Sequence, residues 1–466
     1  MNYEALFDHA GRRRVRAAVL GAGSFGTGVV AGAGRGGRLE TPVVADIDVA
    51  RARHALASAG WREGEVVECA DTGEARRALD AGRAIATADA RVVFGLPLDV
   101  VVEATGEPES GARHALAAID RRMHVAMVTK EADVVVGPVL KSLADAAGVV
   151  YTAVDGDQHG LIIGLVSWAR VIGLEVRCAG KGLDGEVVYD APGGRVQIWG
   201  TWHELAPGVR RYFEPSPEGA EVEFVAARRE ALGDAARAGG WDLTELTIAA
   251  NATGLPLNAG GVACPLVYAT EIARVLTPRA EGGLLDDVPA IDAVALLRQP
   301  HEAALGGGVF LVGRMRSDVL VQTACGKSQL VPSGRGGKAI LILRPMHLLG
   351  VEAAASVLSA AVLGVPTGAG EYRPVFDRVV RARRALKAGE RLGGDHSPDL
   401  AGEIAPAVGF APNDPIPAHL AEGNLLAVDV PAGERIQRRH VRRPPDSALW
   451  ALRERQDALF APGANR

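Results

Sequence analysis

Aromatic residues are scarce, at 5% of 466 positions, and there are only four cysteines. So few aromatics give no base-stacking platform. A formal net charge of −5 lends no electrostatic support to a nucleic-acid surface. Cys69, Cys178, Cys264 and Cys325 lie far apart and include no Cys-x-x-Cys pair. That spacing offers neither a disulfide framework nor a zinc ribbon, and it reads as reduced, mostly buried thiols in a cytoplasmic protein. No run of about 18 apolar residues occurs, so no segment is expected to span a membrane. The opening MNYEALFDHAGRRRVRAAVL lacks the apolar centre of a signal peptide. What is present is ordinary for a globular chain, 48% hydrophobic and 23% charged, with length for two to four domains.

Apolar β-branched runs alternate with helical patterns through the first third. VRAAVL (15–20), PVVADID (42–48), VVVEAT (100–105), HVAMVTKEA and VVYTAVDGD read as buried strands. Residues 62–88 read as polar and helix-like. Strand–helix alternation implies a parallel sheet covered on both faces, and the expected fold class is α/β with a doubly wound, Rossmann-type sheet. From 158 the pattern is mixed. VEFVAARREALGDAARAGG reads as one helix ended by Gly239 and Gly240, and GGVFLVGRMRSDVLVQTA and KAILILRP read as antiparallel or mixed sheet. GVEAAASVLSAAVLG is a helix stopped by Gly364. The last hundred residues hold short β-like pieces between Gly and Pro turns. Expected domains are 1–157 (dinucleotide-binding), 158–371 (α+β, substrate and dimerisation), 372–445 (a small β module) and a tail at 446–466 with a short helix.

The strongest motif is Gly21-x-Gly23-x-x-Gly26, after a strand and before a helix, with Asp46 at the end of the next strand, 20 residues beyond Gly26. Gly21 permits the tight turn, Gly23 lets a pyrophosphate reach the backbone, and Gly26 lets helix and strand pack closely. Ser24 and Phe25 complete the bend, whose helix N-terminus offers unpaired N–H donors. Asp46 would accept from ribose hydroxyls. Its charge favours NAD over NADP, while Arg51 and Arg53 keep NADP open. The alternative is a structural strand–turn–helix without cofactor. Ala104, Thr105 and Gly106 end another strand, where the nicotinamide ribose would lie, or else form an ordinary turn.

Lys130 sits at the carboxyl end of a further strand, where ligands of such sheets bind, or is a surface lysine. Asp155, Asp157 and Gln158 crowd the same edge. The two carboxylates either orient hydroxyls or hold a divalent ion, for which no further residue speaks, or they cap the following helix. No metal ligand set is assigned. Lys181, flanked by glycines after a strand, reads as unshielded and able to protonate a carbonyl. Glu131, Gln158, Asn251 and His203 are candidate substrate contacts, and Lys327, Lys338 and Arg344 weaker ones.

Taken together, VLGAGSFGTG, ADID, VVVEATG, MVTKEADVVVGP and VVYTAVDGDQHG resemble the homoserine-dehydrogenase-like oxidoreductases. AGKG, ANATGL and LILRPMHLLGVEAAASVLSAAVLGVPTG are similar to the deoxyxylulose-phosphate-reductoisomerase-like branch. RALKAGERLGG and HLAEGNLLAVDVPAGERI are similar to its C-terminal SAF β-clip module. The resemblance covers about 15–445. It implies an NAD(P)-dependent oxidoreductase for a small hydroxy or oxo compound and a homodimer or higher homo-oligomer. Lys130 matches the homoserine dehydrogenase lysine, Lys181 matches the Gly-Lys-Gly, and both become catalytic candidates together with Asp157. Isomeroreduction and non-catalytic nucleotide binding are the alternatives. The chain departs from the branch after AGKG, where an Asn-Pro-Lys-Met-type segment is replaced by YDAPGGRVQIWGTWHELAPGVRRYFEPSPEG, with His203, Arg210 and Arg211 as its polar candidates. That departure leaves the substrate open.

Overall fold

The computed structural model describes residues 2–9, 11, 13–286, 289–325 and 339–461, so Lys327 and Lys338 lie outside the described residues. The chain divides into two units. The first holds residues up to Gly160 and from Leu348 onward, and the second holds Leu161–His347.

In the first unit, helix α1 (Tyr3–His9) precedes strand β1 (Val15–Leu20). There follow α2 (Ser24–Ala33), β2 (Leu39–Ala45), α3 (Val49–Ser58), β3 (Val66–Glu68), α4 (Thr72–Asp80), β4 (Ala84–Thr87), β5 (Val100–Glu103), α5 (Pro108–Asp120), β6 (His124–Met127), α6 (Lys130–Ala147) and β7 (Tyr151–Ala153). The seven strands pair in the order β3-β4-β2-β1-β5-β6-β7, all parallel. This is the expected doubly wound α/β sheet. Strand order reverses at β1, so the crevice outside the ends of β1 and β5 is the ligand position of such folds. The core is built from fully buried Val15, Val19, Val44, Val100 and Val102, with Ala52 and Leu56 from α3. β3 and β4 fall inside the stretch read as helical. They are only three and four residues long, too short to show a strand pattern by themselves, and pairing with neighbouring strands decides their conformation.

α7 (Gln158–Val171) leads into the second unit, which comprises β8 (Glu175–Gly182), β9 (Val187–Asp190), β10 (Arg195–Ile198), β11 (Thr201–Glu204), α8 (Glu221–Leu232), α9 (Gly240–Thr253), β12 (Leu266–Val267), α10 (Ile272–Val275), β13 (Ala290–Arg298), β14 (Val309–Arg314), α11 (Asp318–Cys325) and β15 (Ala339–Arg344). They form a mixed sheet in the order β11-β10-β9-β13-β8-β14-β15, with β12 beside β13. Two expectations differ in detail. The helix starting at Glu221 ends at Gly233 rather than Gly239, because Gly233 takes a positive φ of 57° and stops it. SDVLVQTA, read as strand, begins a helix at Asp318.

The chain then returns to the first unit. α12 (Ala353–Leu358) continues to Leu363 and stops at Gly364, and Ala353 and Val357 join the core of the parallel sheet. β16 (Phe376–Ala382) and β17 (Leu400–Pro406) form an antiparallel hairpin. Isolated bridges such as Leu386 with Val430 and Leu426 with Val441 extend it, with a short α13 (Ala418–Ala421) between them. Last comes α14 (Ala448–Leu459), which packs on α5 and α6. Pro138 interrupts α6, and the Gln456 side chain meets it there: its amide donates to Val135 O at 3.0 Å and accepts from Val139 N at 3.2 Å. Arg453 on α14, 1% exposed, pairs with Asp377 of β16 at 2.6 Å and with Asp457 at 3.0 Å. Removing one side of a buried pair leaves a charge unpaired. Arg453→Ala should therefore cost about 3–5 kcal/mol in denaturant unfolding. Arg35→Ala, which breaks an exposed pair with Glu65, should cost under about 1 kcal/mol.

Candidate functional site

The site in the first unit is built on the carboxyl ends of the parallel strands. After β1 the chain bends at Gly21 with φ of 93°. A Cβ there would lie 2.4 Å from the Ala104 carbonyl oxygen, and one on Gly26 would lie 1.9 Å from Gly21 O. No side chain fits either position. Gly23 is different: a Cβ would meet nothing within 4 Å. α2 starts at Ser24 with no side chain capping its N-terminus. Exposed Gly23 and Ser24 thus border open space in front of uncapped N–H groups and the positive end of a helix dipole. A diphosphate fits that cradle. Phe25 is half-buried against the core. Asp46, just past β2, accepts from Ala22 N at 2.7 Å and from Asp48 N at 2.9 Å, so its carboxylate is held at the bend. The two nearby arginines face acids, Arg51 with Asp48 at 3.6 Å and Arg53 with Glu63 at 4.0 Å.

The loop after β5 is tied down by groups that motif reading passed over. Glu103 is fully buried. Its Oε1 accepts from Thr105 Oγ1 at 2.6 Å and lies 3.2 Å from His114 Nδ1. Gly106 N donates to Thr129 Oγ1 at 2.9 Å, linking this loop to the start of α6. The visible signal for Glu103 was a lone acid ending an otherwise apolar run.

Lys130 is the first residue of α6, with its side chain 18% exposed and its Nζ 3.8 Å from Asp157 Oδ2. Asp157 Oδ1 accepts from Gln158 N at 2.8 Å, so the residue does stand at the head of α7. Gln158 is buried beside it. Glu131 is held above the ordinary carboxyl pKa by burial, against opposing effects that include the charges of His419 and Lys130. The structure therefore brings Gly21, Gly23, Ser24, Gly26, Asp46, Ala104, Thr105, Gly106, Lys130, Glu131, Asp157 and Gln158 to one unit. Among the described residues no group of three or more His, Cys, Asp or Glu is arranged to hold a metal ion.

The remaining candidates lie in the second unit. Lys181, expected to be unshielded, is 1% exposed on β8. Its ammonium pairs with Asp242 at 2.8 Å and with Glu245, both on α9. Burial pulls its pKa down, but Glu245 and Asp242 outweigh that and hold it above the ordinary lysine value. Flanking glycines remove side chains next to Lys181 but do not expose it. Asn251 is buried on the same helix, His203 is half-buried on β11, and Arg344 is exposed at the end of β15.

Residues 237–353 match the family model described as oxidoreductase DRL, catalytic domain. No curated protein matches the chain. Among solved structures, GenD2 from gentamicin A biosynthesis in complex with NAD is 19% identical, with a TM-score of 0.25 over 37% of this chain and 45% of that one. A probable dehydrogenase from Thermotoga maritima is 12% identical, with a TM-score of 0.36 over 76% of this chain and 90% of that one. Biliverdin reductase from Synechocystis, in complex with biliverdin and NADP+, is 18% identical, with a TM-score of 0.24 over 38% of this chain and 48% of that one. The chain thus spans less than half the length of the first and third. The family match is thus to an oxidoreductase catalytic domain over 237–353, and the cradle at Gly23 fits a diphosphate.

Because Gly23 has an ordinary φ of −72° and empty space around it, Gly23→Val should fold with nearly the parent melting temperature. It should lose the melting shift that NAD or NADP gives the parent, as differential scanning fluorimetry would show.

Proposed function

We propose that the chain transfers hydride between a nicotinamide cofactor and a small hydroxy or oxo compound, in the manner of the homoserine-dehydrogenase-like enzymes it resembles. The observation that carries this reading is the open, uncapped bend at Gly23 in front of α2, with Asp46 fixed beside it. The nicotinamide supplies the redox chemistry when bound. Gly23, Ser24, Phe25 and Gly26 hold the diphosphate through backbone N–H groups, Gly21 makes the turn with its own N–H donated to Ala45 O at 2.8 Å, and Asp46 accepts from the adenosine ribose. Ala104, Thr105 and Gly106 border the nicotinamide ribose, kept in place by Glu103 and Thr129.

In this reading Lys130 donates a proton to, or takes one from, the substrate oxygen, with Asp157 as its counter-ion. Glu131 and Gln158 orient substrate hydroxyls. Lys181 is a fixed cation: with the Asp242 and Glu245 carboxylates on its Nζ, it orders those two acids more readily than it releases a proton. Residues 372–445 are read as a SAF-like β module, supported by the hairpin and its isolated bridges. Asp46 favours NAD, because a 2′-phosphate would meet a carboxylate while both nearby arginines already face acids.

Two outcomes follow. NAD should raise the melting temperature more than NADP at equal concentration, and Asp46→Ala should narrow that difference. An absence of any shift with both cofactors would remove the reading. On a panel of polyols, hydroxy acids and aldehydes, Lys130→Ala should lower turnover of the best substrate by more than about a hundredfold, with the cofactor-induced melting shift retained.

A further inference from the structure

His159 is the second residue of α7 and is fully buried. Neither of its ring nitrogens has a hydrogen-bond partner. A buried polar group left unsatisfied costs about 1–3 kcal/mol, so an imidazole in this position calls for an explanation. Its Nδ1 lies 3.8 Å from Asp157 Oδ1, while the other oxygen of that carboxylate, Oδ2, lies 3.8 Å from Lys130 Nζ. Asp157 therefore stands between a half-buried ammonium and a buried imidazole, one on each oxygen. Both separations exceed a hydrogen bond, and a small rotation of either side chain closes them.

We infer that His159 is a positioning residue that shares the Asp157 carboxylate with Lys130 and thereby sets how tightly Lys130 holds its proton. A neutral ring with its proton on Nδ1 donates to Oδ1 and leaves Oδ2 turned toward Lys130. Part of the carboxylate's charge is then drawn onto the imidazole, and the ammonium is held less firmly than by an undivided anion. Which nitrogen of a histidine carries the proton is decided by the partner it meets, and here that partner is a carboxylate on the Nδ1 side.

Other titratable groups also face this cluster. Asp133, fully buried on α6, is pushed up by burial, against its bond from Tyr151 Oη at 2.7 Å and the field of His159. Tyr372 also bears on Asp133. On the Lys130 side, Glu131 is pushed up by burial and feels His419 and Asp395. Asp157 lies within 4 Å of both Lys130 and His159.

The inference rests on the reading of Lys130 as the proton-transferring group, and its tests use neither turnover nor cofactor. The first is 15N-histidine NMR, with the His159 resonances assigned by His159→Asn. The ring should be the Nδ1–H tautomer in the parent protein and change to Nε2–H in Asp157→Ala. An Nε2–H ring in the parent overturns the proposal, and that outcome does not depend on whether Asp157→Ala folds. The second is competitive acetylation with acetic anhydride, read peptide by peptide, which gives the pH midpoint of Lys130. His159→Phe should raise it by about 0.5 unit and Asp157→Ala should lower it by at least as much. His159→Asn, which keeps a donor near the Nδ1 position, should leave it unchanged. An unmoved midpoint in His159→Phe, or an equal shift in His159→Asn, overturns the proposal. A failed Lys130→Ala turnover test would count against the catalytic reading alone, because neither measurement here depends on it.

Discussion

The bend at Gly21 runs so close to the backbone of Ala104 and Thr105 that a single methyl group would collide with a carbonyl oxygen at 2.4 Å. That close pass ties the end of β1 to the end of β5, the two strands between which the sheet's order reverses. It draws together two loops that the sequence separates by eighty residues. The bend before α2 thus lies against Ala104 and Thr105, and Asp46 accepts from Ala22 N across it. A cradle for a diphosphate follows from backbone contact, with no charged side chain needed to build it.

The C-terminal segment is part of the same unit through a different kind of constraint. Pro138 cannot donate within α6, and the amide of Gln456 engages Val135 and Val139 on either side of that break. Arg453 then locks α14 to the hairpin through Asp377. Buried charge is costly unless paired, so these contacts specify where the last helix sits as well as stabilising it. The arrangement also carries His419 and Asp395 into the electrostatic neighbourhood of Glu131.

Two lysines that the sequence places at strand ends finish in different environments. Lys181 has two carboxylates on one ammonium and almost no exposure. Lys130 lies 3.8 Å from the Asp157 carboxylate and keeps contact with solvent. An ammonium clamped by two anions gives up its proton reluctantly, whereas the proton-transfer role proposed for Lys130 needs an ammonium that is less firmly held. The difference lies in α9, which brings Asp242 and Glu245 to β8 from sixty residues downstream.

The parallel sheet, the glycine bend, the acid at the end of β2 and the strand-end position of Lys130 were legible in the sequence, because each follows from local rules: β-branched runs, turn-forming glycines, residues at strand ends. β3 and β4 were not, since segments of three and four residues become strands only when neighbours pair with them. The burial of Lys181, the orientation of Asp157 toward Lys130, the role of Glu103 in holding its loop and the unsatisfied ring of His159 were also not legible. Each of these depends on which distant side chain arrives at a distance of 3–4 Å, and on how much water is excluded when it does. One-dimensional order specifies the backbone pattern; only the packed chain decides which charges meet and which protons they hold.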